Sequence, residues 1–389
     1  MERERVGELD GIRAYAISLV FMVHFLSHYF NGSTNGERLD FDALRITDAS
    51  SFSVLLAKYF WASHYGVDLF FLLSGYLILR ILSRPCFSYG QFLKARFMRL
   101  YPALLFATAA YLLYLMEFWG KTFEPWTILG NLVLLQGIWE LGVQPIIVPT
   151  WSLTFEWIFY LGFPLLLLLP SARSGLRPRH IAFAAVVVLL ILLVGQQYTR
   201  LLMFLSGAAF ALAPRHVIRQ VAARTPNWLV IVLYLLGNVY FAVDQNWSHF
   251  IPVYLLTSGL LVAKVLSGEP SFCRVLSWEP LRRLGTISYS FYLFHGLGIV
   301  IFCDQIFPLL HVPRGIQFVA MLAGSYVFSI GMAAVSYHLL ERPYFERHDY
   351  HRQHRIWRHR MGLRWRALRQ RDLVTARFPS RVAGAKVSD

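Results

Sequence analysis

The sequence predicts an all-α fold, a polytopic transmembrane helix bundle of about ten spans with one further segment read as re-entrant or buried. Three observations lead there. Of 389 residues, 56% are hydrophobic and only 15% charged, against about 25% charged in an average soluble domain. Apolar runs of roughly 18 or more residues recur, each long enough to cross ~30 Å of hydrocarbon. Basic residues collect in alternate short loops, the bias that orients membrane proteins with positive loops inside.

In order, the spans are placed at about 12–30, 59–82, 101–119, 151–169, 181–196, 199–213, 228–243, 249–266, 284–303 and 315–339. Loops 83–100, 170–180, 214–227 and 267–283 carry arginines such as Arg84, Arg173, Arg215 and Arg282, and are assigned to the cytoplasm with both termini. Asp40, Asp42, Asp48, Asp244 and Asp304 fall in the intervening, outward loops. The stretch "NLVLLQGIWELG", 131–142, is too short for a comfortable span. Counting it would also reverse every later loop against the charge rule. It is therefore read as re-entrant or buried on the outer side, where protein or a watery cavity must cover its backbone. Residues 1–345 form the bundle, and 346–389 a basic cytoplasmic tail, an interfacial helix or disordered.

Several classes are excluded. The net charge of +15 raises nucleic-acid binding, but the charge follows the loops and no recognition module is visible. Cys86, Cys273 and Cys303 stand singly, so neither a disulfide framework nor a metal site is predicted. The first apolar run lacks a small-x-small cleavage site and holds Arg13 near its start, so it is expected to stay as the first span.

That run, "GIRAYAISLVFMVHF", sets Arg13 and His24 eleven positions apart. Eleven helical steps make three turns plus about 20°, so both lie on one stripe, ~16 Å apart along the axis. Ionisable groups within a span are costly and usually face a bundle interior or a water-filled cavity. A neutral imidazole there suits a general base toward a hydroxyl, and an arginine fork suits a phosphate. The plainer alternative is that His24 bonds a neighbouring helix and Arg13 snorkels to headgroups. Asp68 and Ser74 lie in "GVDLFFLLSGYLI", Arg96 and Arg99 in "FLKARFMRLYPALL", Glu156 in "TWSLTFEWIFYL" and His295 in "LGTISYSFYLFH". Each also has a structural reading. The arginines are topology anchors, Asp68 and Glu156 pair with a buried arginine, and His295 packs. Trp151 and Tyr160 read as belt or core aromatics.

Taken in order, with "LLERPYF" closing the last span, these motifs resemble the acyltransferase-3 family of integral-membrane O-acyltransferases over residues 8 to 345. Members typically open with an arginine and a histidine separated by ten residues. The resemblance implies a ten-span bundle of the bacterial inner (plasma) membrane. It would move an acyl group, acetyl in the usual case, from cytoplasmic acyl-CoA to a hydroxyl of a surface glycan or glycolipid. It makes His24 the essential histidine and Arg13 its partner, matches Arg96 and Arg99 to a cytoplasmic basic motif that would hold CoA, and gives Glu156 a catalytic role. Asp68 and His295 are further candidates. Trp157 stands where relatives commonly have a second glutamate, so only Glu156 is left for an acidic role. The appended hydrolase-like domain of many relatives is not seen. Acyl-CoA, a carbohydrate or glycolipid acceptor and membrane lipid are the expected partners, with no metal and no nucleic acid. The alternative is a proton-coupled transporter or flippase, which predicts internal pseudo-symmetry and helices broken in corresponding halves. Neither is visible.

Overall fold

The computed structural model describes residues 7–31, 59–60, 65–83, 87–167, 196–244 and 247–344. All regular structure among them is helical, the form that satisfies every backbone polar group within one segment when hydrocarbon surrounds it. The chain divides into two compact units, residues 1–337 and 338–389. The second is described only over 338–344, where Arg342 Nη1 donates to His338 Nδ1 at 3.3 Å. All but the last residue of the predicted span 181–196, the tail 346–389 and the loop with Asp40, Asp42 and Asp48 lie outside the described residues.

The helices are α1 (Gly7–Asn31), α2 (Tyr65–Leu82), α3 (Tyr89–Trp119), α4 (Pro125–Leu132), α5 (Trp151–Leu167), α6 (Leu202–Leu212), α7 (Arg215–Arg224), α8 (Asn227–Asp244), α9 (Trp247–Ser267), α10 (Pro270–Leu276), α11 (Glu279–Thr286), α12 (Ser288–Val300) and α13 (Gln317–Ser336). Among the described residues, six segments are long and apolar enough to cross a membrane: Gly7–Phe30, Tyr65–Leu82, Tyr89–Trp119, His249–Ser267, Ser288–Leu310 and Arg314–Tyr344. A seventh is reached only if Tyr198–Leu212 and Arg215–Arg224, bent by 108°, count as one. The predicted ten is thus more than the described helices supply. The apolar part of α8, Asn227–Val243, falls just short in length.

Three predicted loops are partly helical. Arg96 and Arg99 lie inside α3, which starts at Tyr89 and not at 101. Charge does not end a helix. Its bounds are instead the extended Ser88 and the left-handed Gly120, at φ 60°. Within 214–227, α7 turns Ile218 and Ala222 inward and leaves its arginines exposed, the 3.6-residue stripe of a surface helix. Within 267–283, Pro270 and Pro280 open α10 and α11 at their first turns, where a missing N–H costs nothing. On α11, the Arg283 and Arg282 guanidiniums hold the exposed Glu279 carboxyl below its usual range.

The segment expected not to span does not span. After the eight-residue α4 the chain runs irregularly to Thr150. Buried irregular backbone needs partners, and three side chains supply them. Asn131 donates to Thr127 O (2.9 Å) and Gln144 O (2.8 Å) and accepts from Ile146 N (2.9 Å). Gln136 donates to Thr150 O at 3.1 Å, while Gly137 N donates to Thr154 Oγ1 at 3.0 Å.

α12 is buried on nearly every side from Ser290 to Val300, as expected of a helix that is apolar all round. It packs against α1, α3 and α13. α2 and α6 meet most closely. A Cβ on Gly75 would sit 2.0 Å from Phe204 O, and one on Gly207 1.9 Å from Leu72 O. Only glycine permits this backbone-to-backbone seam, a packing mode common between membrane helices.

Candidate active site

One pocket, enclosing about 730 Å³ of atom-free space partly open to solvent, gathers residues from five helices. Arg13 comes from α1, Ser74 from α2, Arg96 and Arg99 from α3, Ser152, Glu156 and Tyr160 from α5, and Ser288, Tyr289 and Tyr292 from α12. Arg13 and Arg96 are held in place. Arg13 Nη1 donates to Asp10 Oδ1 at 2.7 Å, one turn back on α1. The Arg96 guanidinium lies 5.3 Å from the centre of the Phe92 ring and 5.1 Å from that of Tyr160, a double cation–π contact. Ser74 Oγ donates to Glu156 Oε1 at 3.3 Å, and Tyr160 Oη donates to the same oxygen. Three arginines against one carboxylate leave the pocket cationic, with forks suited to phosphate oxygens.

His24 and His295 lie outside this lining and face each other, ring centroids 5.1 Å apart. His295 is fully buried. Its Nδ1 lies 2.9 Å from Tyr292 O and 3.1 Å from Phe291 O. Carbonyls only accept, so Nδ1 carries the proton and Nε2 presents a lone pair. That Nε2 is buried without a hydrogen-bond partner.

Asp68 also lies outside the pocket. Arg200 Nε and Nη2 donate to its two oxygens at 2.8 and 3.1 Å, and the Arg200 guanidinium stacks 4.8 Å from the Trp151 ring centre. Asp68 thus takes the structural reading, a buried carboxylate bidentately neutralised. Arg13, Arg96, Arg99 and Glu156 come together as site candidates, and His24 and His295 form a pair beside them. Tyr160 is a buried core aromatic, as expected, and it also lines the pocket and donates to Glu156. Arg200 was not foreseen. A carboxylate within a span demands a cation, but nothing local says which. Among the described residues no group of three or more His, Cys, Asp and Glu could hold a metal ion.

Comparison with known proteins fits this geometry. The model of the acyltransferase domain matches residues 6–334. The O-acetyltransferase OatA of Staphylococcus aureus (strain NCTC 8325 / PS 47) is 25% identical over 385 residues, covering 86% of this chain and 56% of its own length. YrhL of Bacillus subtilis (strain 168), named as a peptidoglycan O-acetyltransferase, is 25% identical, covering 86% of this chain and 54% of its own length. BcsY of Komagataeibacter xylinus, named as a membrane-bound transacylase, is 28% identical over 87% of this chain and 83% of its own. The chain spans about half the length of OatA and YrhL. No solved structure matches it. With its apolar helices and these relatives, the protein is an integral membrane protein, and the chain belongs to the acyltransferase-3 family.

Proposed function

We propose that this protein takes an acetyl group from cytoplasmic acetyl-CoA and transfers it to a hydroxyl of a surface glycan or glycolipid. One observation carries the reading: a cationic pocket at Arg13 and a buried histidine pair at His24 share a single helix, ~16 Å apart along its axis. Arg13, Arg96 and Arg99 bind the nucleotide phosphates. The pantetheine arm then runs along α1 toward His24. His24 takes the acceptor's hydroxyl proton, the oxygen attacks the thioester carbonyl, and the C–S bond breaks as the tetrahedral intermediate collapses. The imidazolium returns its proton to the leaving thiolate, so the step is proton-neutral. His295, its Nδ1–H fixed on backbone carbonyls, offers Nε2 to hold the His24 ring, the orienting part that a carboxylate takes in hydrolytic triads. The relatives' names support O-acetylation, and that of YrhL a glycan acceptor.

The test is acetyl transfer in membranes carrying the wild type or His24→Ala, with mass spectrometry of surface glycans from the same cells. We expect His24→Ala to insert normally and to lose transfer at least 1,000-fold, together with the acetyl mass. A well-expressed His24→Ala that keeps wild-type transfer removes His24 from the chemistry.

A further inference from the structure

One turn beyond His24, on the same side of α1 and further from Arg13, stands His28. It is only 6% exposed, and its Nε2 lies 2.9 Å from Asp304 Oδ1. A carboxylate only accepts, so Nε2 donates, and Nδ1 is left buried with no hydrogen-bond partner. Asp304 sits in the π-helical turn Ile301–Ile306 that follows α12, and its side chain is 35% exposed. Turns of this kind recur at functional sites. An orphaned buried polar atom asks for a ligand or a strain to explain it. The next residue of α1, Tyr29, stacks its ring on Phe25 and meets Phe30 and Phe318 edge-to-face, 5.1 and 5.0 Å between centroids. The residue is 37% exposed.

None of these residues lines the arginine pocket. The contrast along α1 is one of charge. An anion suits the end with three arginines, whereas an accessible carboxylate repels anions and accepts hydrogen bonds from neutral hydroxyls. A fixed aromatic ring beside it offers an apolar face. Hydroxyls around an apolar ring face are what a sugar presents.

We propose that His28, Asp304 and Tyr29 form the acceptor subsite, taking a neutral carbohydrate that lies on Tyr29 and donates one hydroxyl to Asp304. His28 is a positioning residue that fixes the carboxylate. The hydroxyl to be acylated then lies one turn back, about 6 Å along α1, at His24. The inference rests on the transfer reading above, and its test separates the two.

Full-length protein in nanodiscs is supplied with acetyl-CoA and, as probes, neutral tetrasaccharides of chitin, cellulose and mannan. Rates and equilibrium dialysis are measured in parallel. Asp304→Asn is expected to raise the KM for the tetrasaccharide that works at least tenfold, with the KM for acetyl-CoA unchanged within twofold. Tyr29→Leu acts in the same direction, while Tyr29→Phe and Asp304→Glu retain binding. If Asp304→Asn does not fold, the Tyr29→Leu and Tyr29→Phe pair decides. Acceptor KM and tetrasaccharide binding unchanged in the variants overturn the subsite and leave transfer standing. Saturable wild-type binding that Asp304→Asn abolishes, without any turnover, overturns transfer and leaves the subsite standing. Turnover on another hydroxyl compound with none of the three tetrasaccharides bound overturns the carbohydrate assignment, and Tyr29 is then an interfacial aromatic only.

Discussion

Arg96 lies between the rings of Phe92 and Tyr160 while Tyr160 also grips Glu156, so one phenol serves both signs of charge. Tyr160→Phe keeps the ring and removes the donor. It should lower acetyl transfer about tenfold while leaving the amount of folded protein unchanged, and transfer rates beside a thermal-unfolding curve check both parts. Asp68 and Arg200 should behave oppositely. Removing one partner of a buried pair leaves an uncompensated charge, at a cost of about 3–5 kcal/mol. Asp68→Ala should therefore lower the unfolding temperature in detergent well below that of the wild type, whereas Asp68→Leu combined with Arg200→Met should recover much of it. If Asp68→Ala unfolds normally yet loses transfer, Asp68 belongs to the chemistry and not to the scaffold. At this scale the sequence was legible where side chains share a motif. Arg96 and Arg99 repeat within one turn, and Arg13 and His24 repeat on one stripe. It was not legible where partners come from distant helices. Nothing near Asp68 announces Arg200, 132 positions on, and nothing near His24 announces His295.

Among elements, α1 carries the argument because spacing along it is a testable quantity. One alanine inserted near Ser18 turns His24 by ~100° relative to Arg13 and lengthens the helix by ~1.5 Å. It also displaces the Ser18 hydroxyl from Tyr326, 2.8 Å away. Four inserted residues turn it by only about 40° and add ~6 Å. Transfer should vanish with one and partly survive with four. Equal loss in both would mean that facing is not what joins the two residues. The apolar stretches predicted most of these helices. The start of α3 lies before the predicted 101, and α7 and most of α11 occupy stretches read as basic loops. A polar helix end protruding from hydrocarbon looks like a loop to a hydropathy reading, and only a cap such as Gly120 marks the true stop.

For the whole molecule, the charge pattern predicts α7 and α11 on the cytoplasmic side and the 139–141 turn on the other. Cysteines placed at Arg219 and at Trp139, both outside the pocket, should react with an impermeant maleimide from opposite sides of sealed vesicles. Labelling of both from one side would refute the orientation. The irregular run from α4 to α5 is what made the span count consistent with charge, and its internal amide clamps at Asn131 and Gln136 explain how it stays folded without becoming a span.

The glycine seam between α2 and α6 has a mechanical consequence. Helices whose backbones touch have no side chains to slide over, so shear between them is closed off, and the Asp68–Arg200 pair bolts the start of α6 to α2 as well. The α2 wall is then stiff, while the opposite wall, α3, bears its arginines on a stretch half exposed to its surroundings. Under the proposed function, the donor nucleotide enters from one side, by a swing of the α3 end away from a fixed partner. A covalent tie between α2 and α6 should leave turnover intact, and one between the N-terminal third of α3 and α5 should arrest it.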